Sequence, residues 1–168
     1  MRPAEDTAVA DVLPPEGETR FKALRKAVRK KALDLLMRRE HSLSELMKKL
    51  RNKEYPADLV DEVVAQLADE GLVSDARFTE AFVRYRANQG QGPQRIQAEL
   101  RQRGVDEKIQ SAYLDAGDPQ WLERAAQARC KRFGEAPPAD FKERARQARF
   151  LQYRGFTTEQ VRQVLDDD

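Results

Sequence analysis

The chain has 168 residues, a length that suits one domain or a few small modules and excludes a large multidomain enzyme. Lysine and arginine number 31 against 29 aspartates and glutamates, so the net charge of +2 excludes a uniformly basic protein. One cysteine excludes an internal disulfide, and no apolar run approaches the roughly 20 residues of a membrane helix, so we expect a cytoplasmic protein without a membrane partner.

Residues 1–18 hold three prolines and five acidic side chains with little apolar periodicity, and we predict that they form a flexible leader. From residue 19 onward, helix signals follow one another without a strand pattern between them. They predict three groups of three helices. The predicted three-helix repeats span residues 19–74, 75–117 and 118–168.

Signals at helix ends divide the first repeat into three helices. In its first helix, apolar residues recur every three or four positions, as one buried helix face requires. A capping box from Ser42 to Glu45 opens the second helix, and Pro56 suits the first turn of the third, which ends at Gly71. The expected core side chains are Leu24, Val28, Ala32, Leu35, Leu43, Leu46, Met47, Leu50, Leu59, Val60, Val63 and Leu67.

The same order of signals recurs in the second and third repeats, where glycines again stand at expected helix ends. These glycines are Gly90, Gly104, Gly117, Gly134 and Gly155. The expected core side chains of the second repeat are Phe78, Phe82, Tyr85, Ile96, Leu100, Ile109, Ala112, Tyr113 and Ala116. Those of the third are Leu122, Ala126, Cys130, Phe133, Ala145, Ala148, Leu151, Val161, Val164 and Leu165.

Apolar residues recur at a spacing of 50 or 51 positions, which supports a repeat. The matching sets are Leu50, Leu100 and Leu151; Tyr55, Val105 and Phe156; and Val64, Leu114 and Leu165. Gly104 and Gly155 follow the same spacing, as do Lys53, Arg103 and Arg154. We therefore predict an all-α fold of three tandem three-helix repeats that form an elongated, curved array.

Basic and acidic stretches alternate along these repeats. Residues 21–53 carry a net charge of +9, residues 54–80 a net charge of −7, and residues 81–105 a net charge of +4. Such runs also solvate helix faces. Spaced cations along a stacked array would nevertheless suit the phosphates of a nucleic acid. The candidate contact residues are Arg25, Arg29, Lys30, Lys53, Arg84, Arg86, Arg95, Arg101, Arg103, Arg132, Arg146 and Arg154.

Residues that carry most enzyme chemistry are scarce in this sequence. His41 is the only histidine, and we expect it at a surface turn. Cys130 falls on an apolar helix stripe, which favours a buried structural thiol over a nucleophile. No GxxxxGK[ST] phosphate-binding motif is present. We predict that the protein is not an enzyme and that it has no catalytic residue, metal site or cofactor.

Five short segments carry a resemblance to a known family. They are GLVSDARF at 71–78, FVRYR at 82–86, GPQRI at 92–96, RGV at 103–105 and LQYRGF at 151–156. These segments resemble the RecX family, and the resemblance extends over roughly residues 21–168. It implies an all-helical protein of three tandem three-helix repeats that regulates the RecA recombinase. It also implies binding in the groove of the RecA–DNA filament, with restraint of filament growth, ATP hydrolysis and strand exchange.

Charge pattern and resemblance together predict a monomeric, non-catalytic regulator that binds the RecA filament and inhibits RecA in DNA repair and the SOS response. We expect single- or double-stranded DNA to be a further partner through phosphate contacts. Two alternatives stay open: a DNA-binding helical protein that acts without a recombinase, and a helical scaffold for an unrelated protein. A sequence-reading helix-turn-helix protein is disfavoured, because the last helix of each repeat is acidic and would be repelled by DNA.

Overall fold

A computed structural model describes residues 15–166 of the chain. Over that range it contains nine helices and no strand, which confirms the predicted all-α class. The helices are α1 (Glu16–Leu36), α2 (Leu43–Arg51), α3 (Ala57–Asp69), α4 (Asp75–Asn88), α5 (Pro93–Gln102), α6 (Glu107–Tyr113), α7 (Gln120–Phe133), α8 (Phe141–Arg154) and α9 (Thr158–Asp166). None of these helices is long and apolar enough to cross a membrane.

The first helix begins earlier than predicted from the sequence. α1 starts at Glu16, so residues 16–18 belong to a helix and not to the leader. Two acidic residues in its first turn favour this start because they complement the positive end of the helix dipole. Glu18 also pairs with Lys22 one turn later, with 2.8 Å between Oε1 and Nζ. The rest of the predicted leader, residues 1–14, lies outside the described residues.

The helices pack as three consecutive triplets. α1–α3 pack against one another, as do α4–α6 and α7–α9, and we call these triplets units 1, 2 and 3. Capping residues fix helix starts: the predicted cap Ser42 accepts a hydrogen bond of 3.0 Å from Glu45 N through Oγ, and Asp140 Oδ1 accepts one of 2.7 Å from Glu143 N. The order of the triplets confirms the prediction of three tandem three-helix repeats.

Unit 1 has a hydrophobic core of its own, whereas units 2 and 3 share one. The core of unit 1 consists of Val28, Ala32, Leu46, Leu50, Leu59, Val60, Val63, Val64, Leu67 and Val73. The shared core consists of Phe78, Ala87, Ile96, Leu100, Val105, Trp121, Ala125, Leu151, Phe156, Val161, Val164 and Leu165. Burial of apolar surface is the main favourable term in folding, so units 2 and 3 stabilise each other directly.

The buried face of α7 lies one residue away from the predicted stripe. Trp121, Ala125 and Arg129 are buried, whereas Cys130 is only half-buried. Arg129 is tolerated inside because its Nε donates to Gln147 Oε1 and its Nη2 to the carbonyl of Ala136, each at 2.8 Å. The predicted core face of Leu122, Ala126, Cys130 and Phe133 is therefore only half-buried, although Leu122 and Ala126 pack against the shared core.

Unit 2 also ends differently from the prediction. α6 stops at Tyr113 and does not continue to Gly117. The N–H of Gly117 instead donates a hydrogen bond of 2.8 Å to Asp115 Oδ1, which stabilises a turn in place of another helical turn. Tyr113, which was predicted in the core, is 40% exposed.

The same repeat position forms a contact at both junctions between units. At the first junction, the carbonyl of Arg103 accepts a hydrogen bond of 2.7 Å from Ser42 Oγ in unit 1. At the second, the carbonyl of Arg154 accepts one of 2.8 Å from the N–H of Gly92 in unit 2. Arg103 and Arg154 lie 51 positions apart, at the C-terminal ends of α5 and α8. Units 2 and 3 are therefore each joined to the preceding unit through the end of their second helix.

The glycine that follows each of these carbonyls allows the close approach. Gly104 has φ of +72°, and a Cβ there would lie 2.6 Å from the Cβ of Ser44. Gly155 has φ of +97°, and a Cβ there would lie 2.3 Å from the Cβ of Arg95. Glycine is therefore required at both positions for backbone conformation and for space. The spacing of these glycines, which indicated a repeat in the sequence, marks the contact between repeats.

Candidate interaction surface

Five arginines from all three units lie along one connected surface. We call this set the arginine surface, and its members are Arg39, Arg86, Arg95, Arg103 and Arg154. Neighbouring members of this set contact the same glutamates, aromatic rings or backbone carbonyls. All of them except Arg39 are among the predicted contact residues, whereas nothing in the sequence indicated Arg39.

Glu45 joins two of these arginines across the junction between units 1 and 2. Arg39 Nη2 lies 2.6 Å and Arg103 Nη1 3.3 Å from Glu45 Oε1, and the glutamate side chain is 13% exposed. Burial alone would favour its neutral form. The hydrogen bond from Arg39, together with the nearby positive groups, outweighs burial and lowers the pKa of Glu45. The carboxylate therefore stays ionised at neutral pH and holds both guanidinium groups in place.

Glu99 joins the next two arginines of the surface. Arg86 Nη2 lies 2.7 Å from Glu99 Oε2, and Arg95 Nε lies 3.5 Å from Glu99 Oε1. The ring of Phe82 connects this group to the first one, because the guanidinium carbons of Arg86 and Arg103 lie 5.2 Å and 4.9 Å from its centroid. Both distances are within the range of cation–π attraction. Phe82 thus orients two guanidinium groups.

Arg95 and Arg154 extend the surface to unit 3. The guanidinium of Arg95 lies 5.3 Å from the ring centroid of Tyr153, and its Nη1 lies 3.4 Å from the Tyr153 carbonyl oxygen. Arg154 Nη1 donates a hydrogen bond of 3.3 Å to the carbonyl of Gln89, and Gln89 Oε1 accepts one of 3.2 Å from Arg86 Nη1. The arginine surface therefore crosses both junctions between units.

Two exposed tyrosines border the arginine surface. Tyr153 is 76% exposed and Tyr85 is 59% exposed. The prediction that Tyr85 lies in the core was wrong: its hydroxyl accepts a hydrogen bond of 2.9 Å from Gln89 Nε2 at the surface. Exposed aromatic rings beside arginines can stack against unpaired bases or against partner side chains.

Two predicted contact residues form ion pairs inside unit 1. Arg25 pairs with Glu62, and Arg29 contacts both carboxylate oxygens of Glu70, at 3.1 Å and 2.6 Å. This hydrogen bonding raises the pKa of Arg29 and lowers the pKa of Glu70. The acidic helix α3 thus neutralises part of the basic excess of α1, so this part of the excess is not available to a partner as the charge pattern predicted.

Four other predicted residues lie outside the contacts of the arginine surface. Lys30, Lys53 and Arg84 are exposed, and no ion pair joins them to another residue between 15 and 166. Arg101 Nη2 lies 3.6 Å from Glu107 Oε1, and its side chain is largely exposed. The structure therefore does not bring these cations together with the arginine surface.

Arg132 and Arg146 form a smaller group in unit 3. Their guanidinium carbons lie 5.5 Å and 5.4 Å from the ring centroid of Phe133. Phe133 lies 51 positions after Phe82, so the same repeat position carries a phenylalanine with two arginines in both units. The spacing predicts the equivalent phenylalanines but not their arginines, because Arg132 and Arg146 do not lie 51 positions after Arg86 and Arg103.

His41 lies inside the protein and not at a surface turn, so that prediction was wrong. Its side chain is 1% exposed, its Nδ1 lies 3.0 Å from the carbonyl oxygen of Arg39, and its Nε2 lies 3.0 Å from Lys49 Nζ. The carbonyl accepts, so Nδ1 carries the proton and Nε2 accepts from the lysine. Burial, with the charges of Arg39 and Lys49, lowers the pKa of His41.

We expect the free energy of unfolding to fall as the pH is lowered from about 7.5 to about 5.5. The unfolded chain takes up a proton near the ordinary histidine pKa of about 6.5, whereas the folded chain resists protonation down to its lowered pKa. One proton limits the slope to about 1.4 kcal/mol per pH unit. Urea unfolding across this range measures the slope, and His41→Asn should remove it. If the free energy of unfolding of His41→Asn falls with pH as steeply as that of the wild type, His41 is not the source of the slope.

A cleft of about 470 Å³ opens beside the arginine surface at the junction of units 1 and 2. It is lined by Arg39, Glu40, Phe78, Ala81, Phe82, Tyr85, Arg86 and Arg103. The cleft therefore combines apolar walls with three guanidinium groups. Among residues 15–166, no three histidine, cysteine, aspartate or glutamate side chains are grouped as ligands for a metal ion.

Family models match all three units of this chain. The model described as RecX, first three-helix domain, matches residues 29–67; the second three-helix domain matches residues 74–114; and the third matches residues 118–165. These matches cover most of the helical part of the sequence. Each of them falls within one of the three units that the structure shows.

Curated relatives and solved structures agree with the family models. The Regulatory protein RecX of Halorhodospira halophila (strain DSM 244 / SL1) is 49% identical over 140 residues, 83% of this chain and 87% of the relative. That of Pseudomonas entomophila (strain L48) is 44% identical over 139 residues, 83% of this chain and 90% of the relative.

Two crystal structures share the fold at low identity. RecX from Lactobacillus salivarius has a TM-score of 0.74 at 20% identity, covering 87% of this chain and 97% of that one. A second regulatory protein RecX has a TM-score of 0.78 at 22% identity, covering 93% of this chain and 80% of that one. The curated relatives are regulatory proteins by name, in agreement with the prediction that this chain is not an enzyme. The chain belongs to the RecX family of regulatory proteins.

Proposed function

We propose that this protein binds the RecA–DNA filament and inhibits the recombinase activities of RecA, namely ATP hydrolysis, strand exchange and filament extension. Membership of the RecX family supports a regulatory role, and the arginine surface supports an anionic partner. The inhibition would take place in DNA repair and in the SOS response, with the protein acting as a cytoplasmic monomer. No covalent step is required, because binding one state of the filament shifts its equilibrium.

The observation that carries this proposal is the continuity of the arginine surface across both junctions. Arg39, Arg95 and Arg154 belong to three different units, yet the junctions hold them in fixed relative positions. Cations fixed in this way can contact several phosphates without a large loss of side-chain entropy. Phosphate contacts also release counterions, which gives affinity without reading a base sequence.

A filament of protein and nucleic acid suits this surface better than naked duplex DNA does. The two glutamates within it, Glu45 and Glu99, reduce its net charge and so reduce its attraction for a uniformly anionic rod. The exposed rings of Tyr85 and Tyr153 add contacts that a phosphate backbone cannot use. We propose that Lys30, Lys53, Arg84, Arg101, Arg132 and Arg146 make peripheral contacts around it.

A DNA-binding protein that acts without a recombinase is the second candidate. Exposed tyrosines beside arginines favour it, because single-stranded nucleic acid binds by stacking on such rings and by phosphate contacts. Affinity for naked oligonucleotides separates the two functions. Sub-micromolar binding to DNA in the absence of RecA, without any effect on RecA, would favour this second candidate.

The direct test is the hydrolysis of ATP by RecA on single-stranded DNA, measured with increasing amounts of this protein. We expect the steady-state rate to fall in a dose-dependent manner, to a small fraction of its initial value, well before the protein saturates the DNA itself. A single-stranded-DNA-dependent helicase serves as control and should keep its rate. A flat response of RecA would contradict the proposed function.

A further inference from the structure

The cleft between units 1 and 2 has an apolar wall, which has no role in the phosphate contacts proposed for the arginine surface. Phe78 and Phe82 form a stacked pair in its wall, with 5.4 Å between ring centroids, and Ala81 lies between them in the sequence. Tyr85 completes this wall and is more than half exposed. The volume of about 470 Å³ falls in the range of sites that enclose small ligands or single large side chains.

The charged rim of the cleft has too few carboxylates for its guanidinium groups. Arg39, Arg86 and Arg103 line the cleft, and together with the adjoining Arg95 they share Glu45 and Glu99, which leaves an excess of two positive charges. The Nε atoms of Arg86 and Arg103 are buried and have no hydrogen-bond acceptor. Glu40, which also lines the cleft, is already paired with Arg77, with 3.0 Å between Oε1 and Nε. The rim therefore favours an occupant that brings carboxylates.

We propose that this cleft binds a peptide segment of a protein partner in which a large apolar side chain is flanked by acidic residues. The apolar side chain occupies the space between Phe78, Ala81 and Phe82, and the carboxylates contact Arg39, Arg86 and Arg103. This inference rests on the proposed function in one respect: if that function is right, the partner protein is the recombinase.

A protein segment fits the cleft better than an unpaired nucleobase does. The side chains of Phe78, Ala81 and Phe82 offer no hydrogen-bond donor or acceptor to a base edge. A base in the space between these three side chains would lose hydrogen bonds to water there, and each polar group left unpaired costs about 1–3 kcal/mol. A phenylalanine or leucine side chain loses none. Electrostatic complementarity at the rim then selects acidic neighbours.

The test uses the fluorescein-labelled peptide Ser-Gly-Asp-Asp-Phe-Asp-Asp-Gly-Ser and measures fluorescence anisotropy against the whole protein. Replacement of the peptide phenylalanine by serine, or of its aspartates by asparagines, should weaken binding at least about tenfold. Ala81→Glu in the protein should weaken it to a similar degree. Ala65→Glu, the same change on an exposed position of α3, should leave it unchanged. Circular dichroism checks that both variants keep their helices, and the two altered peptides test the cleft even if Ala81→Glu does not fold.

Four further outcomes are decisive. A twelve-residue oligothymidylate should bind the wild type and the uncharged variant Ala81→Gln equally, whereas the peptide should bind that variant more weakly; a tenfold loss of oligothymidylate binding in Ala81→Gln would overturn the proposal in favour of a nucleic-acid site. Equal binding of all three peptides would also overturn it. RecA inhibition by the same proteins separates the two proposals. Inhibition that Ala81→Glu retains would contradict the cleft as the recombinase contact, whereas selective peptide binding without RecA inhibition would contradict only the proposed function.

Discussion

Gly155→Ala is expected to lower the free energy of unfolding by about 3 kcal/mol or more. Two effects add at this position. The backbone has φ of +97°, which a residue with a Cβ rarely adopts, and the new Cβ would lie 2.3 Å from the Cβ and 2.6 Å from the N of Arg95. Relief of that clash would separate unit 3 from the first turn of α5, where units 2 and 3 share backbone hydrogen bonds and a core.

Two other glycines separate these effects. Gly71 has φ of +72° with no atom within 4 Å of its Cβ position, so Gly71→Ala measures backbone strain alone, expected at about 1 kcal/mol. Gly92 has φ of −88°, and its Cβ would lie 2.4 Å from the carbonyl carbon of Gly155, so Gly92→Ala measures the clash alone. Urea unfolding of the three variants should rank Gly155→Ala lowest in stability. Equal losses in Gly155→Ala and Gly71→Ala would show that the close approach contributes nothing.

Several helix ends were predictable because local chemistry determines them, although the start of α1 and the end of α6 were not. Ser42 and Asp140 cap helices whose first turns need a hydrogen-bond acceptor, whatever packs around them. Gly104 and Gly155 end helices at the same repeat position, and their spacing was visible in the sequence. The core of unit 1 was predictable for a similar reason, since its leucines and valines leave only one apolar face on each helix.

The buried face of α7 was not predictable from periodicity. Alanines occur on several sides of this helix, so the apolar pattern permits more than one orientation. Contacts that are distant in sequence select the face: Trp121 Nε1 donates a hydrogen bond of 2.8 Å to the carbonyl of Asp115, and Arg129 bonds to Gln147, 18 residues away. A buried arginine is acceptable only where such partners exist, and a sequence pattern does not contain that information.

The arginine surface was predictable only in part, for the same physical reason. Arg95 and Glu99 stand four positions apart on one helix, a spacing that brings side chains together in any helix. Arg103 and Glu45 are 58 positions apart and meet only because units 1 and 2 stack. Arg25 was predicted to contact a binding partner, because the residue it pairs with, Glu62, lies on another helix and could not be identified from the sequence. Charge counts along the chain thus indicate cations but not which of them are already paired.

Replacement of Arg95, Arg103 and Arg154 by glutamine in one protein should raise the concentration needed for half-maximal inhibition of RecA ATP hydrolysis by about tenfold to a hundredfold. The three residues lie on the arginine surface at both junctions, so their replacement removes a cluster of cations that would face an anionic partner. In this triple variant Glu99 still pairs with Arg86 and Glu45 still pairs with Arg39, so neither of these largely buried carboxylates is left without a cation. This choice keeps the effect on folding small.

A second triple variant, with Lys30, Lys53 and Arg84 replaced by glutamine, loses the same net charge from exposed positions outside the arginine surface. It should shift half-maximal inhibition less than threefold, because scattered surface cations contribute little affinity individually. The dependence of inhibition on salt should weaken in the first variant and change little in the second, since the salt slope falls by about one for every phosphate that the protein no longer neutralises. Equal losses in both variants would show that net charge, and not this surface, determines binding, because only a localised site distinguishes three clustered cations from three dispersed ones.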